Sequence, residues 1–276
     1  MVDIGDIATN LQRHENGIWH SRNRSDVSYP EDGHSNCLAV ENNSFWFKHR
    51  NHCIIQSMHS FPPVDTVFDI GAGNGYVSFG LKSAGFDVAV VEPGLQGAIN
   101  ARNRGLDPVV CSTVENAGFN PHSIPAIGIF DVLEHIENET DFLETAKKLL
   151  IPNGRLYITV PAYNFLWSLD DDYAGHFRRY TVNSLALLLE SLGFRIDFKT
   201  YIFSILPLPI FVFRTLPCKV ALRTVSKTDR KRKELTQNQF LFQMLLDWAF
   251  FCELRRLRNK MTIPFGGSCL IVARLF

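Results

Sequence analysis

From residue 64 onward, apolar and polar positions fall into two alternating rhythms. Val64–Ile70 is a β-rich run, three glycines follow within Gly71–Gly75, and helix-like spacing then continues to Ala84. Asp87–Val91 reads as a second strand and Leu95–Arg104 as the next helix, which completes a βαβ unit. Short apolar runs at Pro108–Cys111, Ala126–Phe130 and Arg155–Val160 predict three further strands. The last two are separated by a helix over Glu139–Leu150 that stops at the turn signal Pro152-Asn153-Gly154. After a helix at Val182–Leu192 and a stop at Gly193, Arg195–Tyr201 alternates like a sixth strand, and Ser268–Leu275 looks like a seventh. Strands joined by helical crossovers run parallel, so an α/β domain with a largely parallel sheet is expected.

The flanks follow other patterns. Residues 1–60 are polar and weakly periodic until Glu41, after which Ser44–Asn51 begins an aromatic, helix-like segment; they are expected to form a helical or irregular cap. Residues 61–201 form the core, residues 202–264 a helical insertion, and residues 265–276 the final core strand. The insertion holds the apolar run Tyr201–Pro217, which is too short to span a bilayer and contains Arg214 and three prolines. It continues with the basic run Lys227–Lys233, more often a solvated face than a binding patch, and an aromatic amphipathic segment at Phe240–Leu257. This region is the expected lid, or the contact for a membrane or partner.

Composition narrows the choice of partners. A chain of 276 residues with 46% hydrophobic and 20% charged residues can bury a sizeable core. A formal net charge of +0 gives no global attraction to nucleic acid or to an anionic membrane, so any electrostatic preference for a partner must be local. Six cysteines without paired spacing suit a reducing compartment. The first residues carry neither a basic leader nor a long apolar run, so a cytoplasmic protein is expected, with peripheral contact at the inner membrane face left open by the insertion.

The densest chemistry lies in FDIGAGNGY, Phe68–Tyr76. A strand running straight into Gly71, Gly73 and Gly75 makes a turn whose backbone a ligand can approach. Dinucleotide sites want a further glycine three positions after the second, and here that position is Tyr76. Asp69 would repel a diphosphate but pair with the α-ammonium of a methionine moiety. Glu92, ending the second strand, is placed to accept hydrogen bonds from two ribose hydroxyls.

FDIGAGNG, the acid in VVEPG, FDVLEHI at Phe130–Ile136 and the turn at Leu150–Leu156 together resemble the successive motifs of class I methyltransferases. The resemblance covers about residues 41–201. It implies a Rossmann-like, seven-stranded, mostly parallel sheet with the last strand antiparallel, and S-adenosylmethionine as methyl donor. It also implies that Asp69, Gly71, Gly73 and Gly75 surround the methionine part, that Glu92 holds the ribose, that Ser112, Thr113 and Val114 flank the adenine, and that Ala72, Asn74 and Pro93 belong to the same donor site. Asp131 then faces the methyl-transfer side.

On the acceptor side, methyl transfer is an in-line displacement that asks the protein for alignment and, for a hydroxyl or amine, a base. Asp131, His135 and His176 are the candidate catalytic residues. No metal is the favoured reading; the alternative is a divalent cation on Asp131, Glu134, His135 and His176, similar to an E-x-x-E-H arrangement in ubiquinone-pathway and small-RNA O-methyltransferases. GHFRRYT at Gly175–Thr181 reads equally as a hydrogen-bonded loop or as an anion-recognising one; together with FWFKHR at Phe45–Arg50 and the apolar run after Tyr201 it resembles a bacterial and archaeal methyltransferase subgroup associated with surface-glycan or lipid-linked substrates, which implies a small-molecule or a glycan- or lipid-linked partner. Two other functions stay open. An NAD-linked oxidoreductase would explain the glycines and Glu92 but not Asp69, and a non-catalytic adaptor could retain the scaffold.

Overall fold

The structure, a computed structural model, describes residues 2–22, 37–38, 40–216 and 239–276. One sheet contains β1 (Leu11–Arg13), β2 (Trp19–Ser21), β3 (Val67–Ile70), β4 (Val88–Val91), β5 (Val109–Cys111), β6 (Ile124–Phe130), β7 (Leu150–Pro161), β8 (Phe194–Ile202) and β9 (Ser268–Leu275). Its order is β1-β2-β5-β4-β3-β6-β7-β9-β8. The strands from β5 through β7 pair in parallel, and β9 is antiparallel to both of its neighbours, β7 and β8. The expected α/β, Rossmann-like fold with an antiparallel last strand is therefore present.

Sequence alternation in the core is replaced by continuous apolar runs because the central strands are covered on both faces: every residue of β3, β4 and β6 is buried. Phe68, Ile70, Ile127 and Ile129 face one layer with Leu143, Leu185 and Ile271. Val67, Ala126 and Phe130 face the other with Met58, Leu81 and Leu270.

Two differences from the sequence reading have local causes. Among the described residues the sheet has nine strands, not seven, because β1 and β2 form a hairpin whose second strand pairs in parallel with β5. Three residues are too few to show a period of two. Pro152-Asn153-Gly154 does not stop an element but lies inside β7, where Asn153 has φ +64° and the register with β6 shifts between Ile124 and Ala126. The turn chemistry makes a bulge.

The helix begun at Ser44 runs over Phe45–Ser60. It buries His49, Arg50, Asn51 and Ser57 together with Cys53, Ile54 and Met58, so its inward face is half polar and leaves little apolar stripe to read. Against it lies a second long helix, Gln239–Arg258. Phe250 stacks on His49 with ring centroids 3.8 Å apart. Glu253, buried, pairs with His49 Nε2 at 2.9 Å and accepts from the backbone N–H of Phe203 at 2.9 Å and of Ser204 at 2.5 Å. Burial works against the Glu253 carboxylate, but His49 and Ser204 outweigh it and hold its pKa below the usual value. Among the described residues no helix is long and apolar enough to cross a membrane. Pro217, Cys218 and the basic run Lys227–Lys233 lie outside the described residues.

Candidate active site

A cavity of about 490 Å³ opens at the carboxyl ends of β3, β4 and β6, where a doubly wound sheet places its ligands. One wall is the glycine turn. Gly71 has φ +71°, and a Cβ there would stand 2.7 Å from Val132 Cγ2. Gly73 has φ +56° and open space where its Cβ would be, so its backbone is bare to a ligand. Gly75 closes the turn as the residue before the Tyr76–Ser83 helix. The acids lock this wall. Glu92 accepts from Gly73 N–H at 2.6 Å and Gly94 N–H at 2.7 Å, and Asp69 accepts from Ser78 Oγ at 2.5 Å.

Both acids are buried, and burial sets their protonation. Desolvation pushes Asp69 up to about 6, against the pull of Ser78 and Arg50. It pushes Glu92 up to about 7, against the two backbone N–H groups. Their folded pKa values exceed the unfolded ones, so the stability they lend is complete below about pH 4 and is lost as pH rises through 6 and 7.

Across the cavity, Asp131 sits at the end of β6 with φ +55°, a conformation that a non-glycine residue rarely adopts. It is held there on both sides: Thr159 Oγ1 donates to Oδ1 at 2.9 Å, and Arg50 Nη1 pairs with Oδ2. Arg50 was not among the sequence candidates. It is the only lysine or arginine among the described residues that line the cavity, and its buried Nε has no hydrogen-bond partner. Phe47, one turn earlier on the same helix, also lines the cavity. FWFKHR drew attention as an aromatic segment; only the fold brings residue 50 beside residue 131.

Of the remaining sequence candidates, Ala72, Asn74, Pro93 and His135 line the cavity. Ser112, Thr113 and Val114 do not: Ser112 and Val114 are buried, and Ser112 Oγ donates to Thr113 O at 2.9 Å. His176 also stands behind the wall. Its Nδ1 pairs with Asp171 Oδ1 at 2.8 Å, and Arg179 grips the same carboxylate at 2.7 and 3.0 Å. Burial opposes the Asp171 charge, but His176 and Arg179 hold its pKa well below the carboxylate range. Arg178 pairs with Glu139 at 3.1 Å. Both arginines of GHFRRYT therefore have structural partners.

The cation alternative gains three of its four residues. Ligand atoms of Glu134, His135 and His176 lie within 4.8 Å of one another, while Asp131 is taken up by Arg50 and Thr159. Glu134 is buried with no hydrogen-bond partner for Oε2, and burial followed by the nearby Asp131 raises its pKa well above the usual value. Burial, then His176, lowers His135 to about 4, so its ring is neutral at neutral pH.

Residues 46–197 match a family described as a methyltransferase domain. The chain is 28% identical over 102 residues to the mitochondrial ubiquinone biosynthesis O-methyltransferase of Rattus norvegicus, a match covering 34% of this chain and 30% of that protein. It thus spans less than a third of that relative's length. Its fold is similar to that of a possible histamine N-methyltransferase from Thermotoga maritima (TM-score 0.55, 16% identity, 87% of this chain and 97% of the other). It is also similar to Haemonchus contortus phosphoethanolamine N-methyltransferase 2, solved with S-adenosyl-L-methionine (TM-score 0.54, 17% identity, 90% of this chain and 58% of the other).

Proposed function

Because the chain belongs to the methyltransferase-domain family, the class I S-adenosylmethionine-dependent methyltransferases, we propose that it methylates a hydroxyl oxygen of an acceptor held between Asp131, His135 and Phe177. The observation that carries this reading is one continuous cavity of about 490 Å³ whose lining runs from Glu92 past Asp69 to Asp131 and His135. The residues present suit the donor. The open backbone at Gly73 leaves room for it, Asp69 offers a carboxylate to its ammonium, and Glu92 offers acceptors to its ribose. Arg50, with its unpartnered Nε, offers a cation to its carboxylate. S-adenosylmethionine supplies a methyl group already activated by the attached sulfonium. The protein's own share is positioning: Thr159 and Arg50 fix Asp131, Phe47 and Phe177 give the cavity apolar surface, and His135, which lines it with a neutral ring, is the base that takes the hydroxyl proton.

Support for oxygen as the acceptor atom comes from the relative named as an O-methyltransferase; a small metabolite and a lipid- or glycan-linked hydroxyl both suit the apolar lining of Phe47, Val132, Ile136 and Phe177. The test is calorimetry with S-adenosylhomocysteine followed by transfer of labelled methyl to paired hydroxyl and amine acceptors. Binding with label on hydroxyls alone is expected. Label on amines alone overturns the choice of oxygen, and absence of nucleoside binding overturns the whole reading.

The orphaned Glu134 Oε2 favours a second reading in which Glu134, His135 and His176 hold a divalent cation that polarises the acceptor hydroxyl. Asp171 would orient His176 through its other ring nitrogen. In that case His135 is a ligand and not the base. Titration of the metal-stripped protein with magnesium, manganese or zinc in the absence of donor separates the two: saturable binding abolished by Glu134→Gln supports the cation, and heat from dilution alone removes it.

A further inference from the structure

We propose that the outward stripe of the Gln239–Arg258 helix docks the protein on an anionic lipid surface. Leu246, Phe250, Glu253 and Leu257 are the buried side of this helix. Met244, Trp248 and Phe251, spaced four and three residues apart, form the opposite stripe, and they are 53%, 67% and 63% exposed. Three large apolar side chains so bare along one line are costly in water, and tryptophan favours the bilayer interface.

Charge identifies the occupant. The same stripe continues into Arg255 and Arg258, both exposed, while on the described helix acids are limited to exposed Asp247 and to Glu253, which is buried and bonded to His49 and Ser204. Large apolar residues flanked by arginines, on a helix not apolar enough to span, are the pattern of a helix lying in the plane of an anionic headgroup layer.

The seating of this helix gives docking a consequence. Glu253 and Phe250 hold it to His49 on the Phe45–Ser60 helix, which sends Phe47 and Arg50 into the cavity. A lipid-bound acceptor would thus meet the active site one helix away from the surface. Docking itself needs no donor and stands whether or not the methyl-transfer reading holds.

The test is flotation of the full chain with vesicles of phosphatidylglycerol and phosphatidylcholine, and with phosphatidylcholine alone. Binding to the anionic vesicles that weakens with salt is expected. Trp248→Gln with Phe251→Gln should lower the partition coefficient at least about tenfold. Arg255→Gln with Arg258→Gln should weaken it on anionic vesicles, and Leu187→Gln, which removes an exposed apolar residue from another helix, should leave it unchanged. Circular dichroism and melting temperature confirm that each variant is folded. No flotation with anionic vesicles, or an equal loss in Leu187→Gln, overturns the proposal. So does a dimer in light scattering that becomes monomeric in the Trp248/Phe251 variant with no vesicle binding by the parent, since the stripe then belongs to a second copy.

Discussion

The two walls of the cavity are built in different ways. The wall with Asp69 and Glu92 comes from one short stretch of chain, residues 69–94, and its acids are tied to backbone N–H groups and to Ser78. The wall with Asp131 draws on segments from Phe47 to Phe177, is held by side chains, and retains a positive-φ aspartate and, in Arg50 Nε, a buried donor with no partner. A wall made of local backbone serves a ligand of fixed shape. A wall assembled from distant side chains can change its ligand by changing one segment, and it keeps strain and orphan groups where a second reactant would engage them.

The contrast breaks first at Asp69. Asp69→Ala should weaken S-adenosylhomocysteine binding about 100-fold by calorimetry, because a buried charge-assisted contact contributes roughly 2 to 3 kcal/mol; unchanged affinity would remove the donor from this wall. Arg50→Met should raise the Michaelis constant for the donor roughly thirtyfold, with Arg50→Lys recovering part of it. An effect on the acceptor constant alone would limit Arg50 to holding Asp131.

A change of pH should act on the donor wall by about tenfold. Asp69 titrates near 6, so its ionised fraction falls about tenfold between pH 7 and pH 5, and affinity for an ammonium-bearing ligand should fall with it. Asp69→Asn should flatten that profile, and a profile unaltered in the variant would point to another group. The smallest effect is expected at Ser112→Ala, which should leave affinity within about twofold, since its hydroxyl is spent on Thr113 O outside the cavity. A larger loss would return the adenine to Ser112–Val114.

The same contrast explains what could be read from the chain. Runs such as Ile124–Phe130 are buried on both faces, so they are legible without alternation. Asp69, the glycines and Glu92 lie within 24 residues and keep fixed spacing, so their roles could be argued together. Arg50 could not be found that way, because its partner is 81 residues distant and its helix hides the inward face under polar residues. His49 and Glu253 meet across 204 residues with no motif linking them. The LEH segment showed its ligand types but not their directions. Asp131 turns toward Arg50, and His176 turns one nitrogen toward Asp171, and those orientations follow from packing.

The place of β9 sets an order of events during synthesis. It lies between β7 and β8, and among the described residues β8 has no other neighbour in the sheet. Both flanking strands leave the ribosome before the one that joins them, so β7 waits with a bare edge and β8 with no ladder at all until Ser268–Leu275 arrives. Exposed edges recruit other chains, and pairings this distant in sequence form slowly. A nascent chain halted before residue 268 should therefore aggregate or engage a chaperone, while addition of β9 covers the β7 edge and gives β8 its ladder.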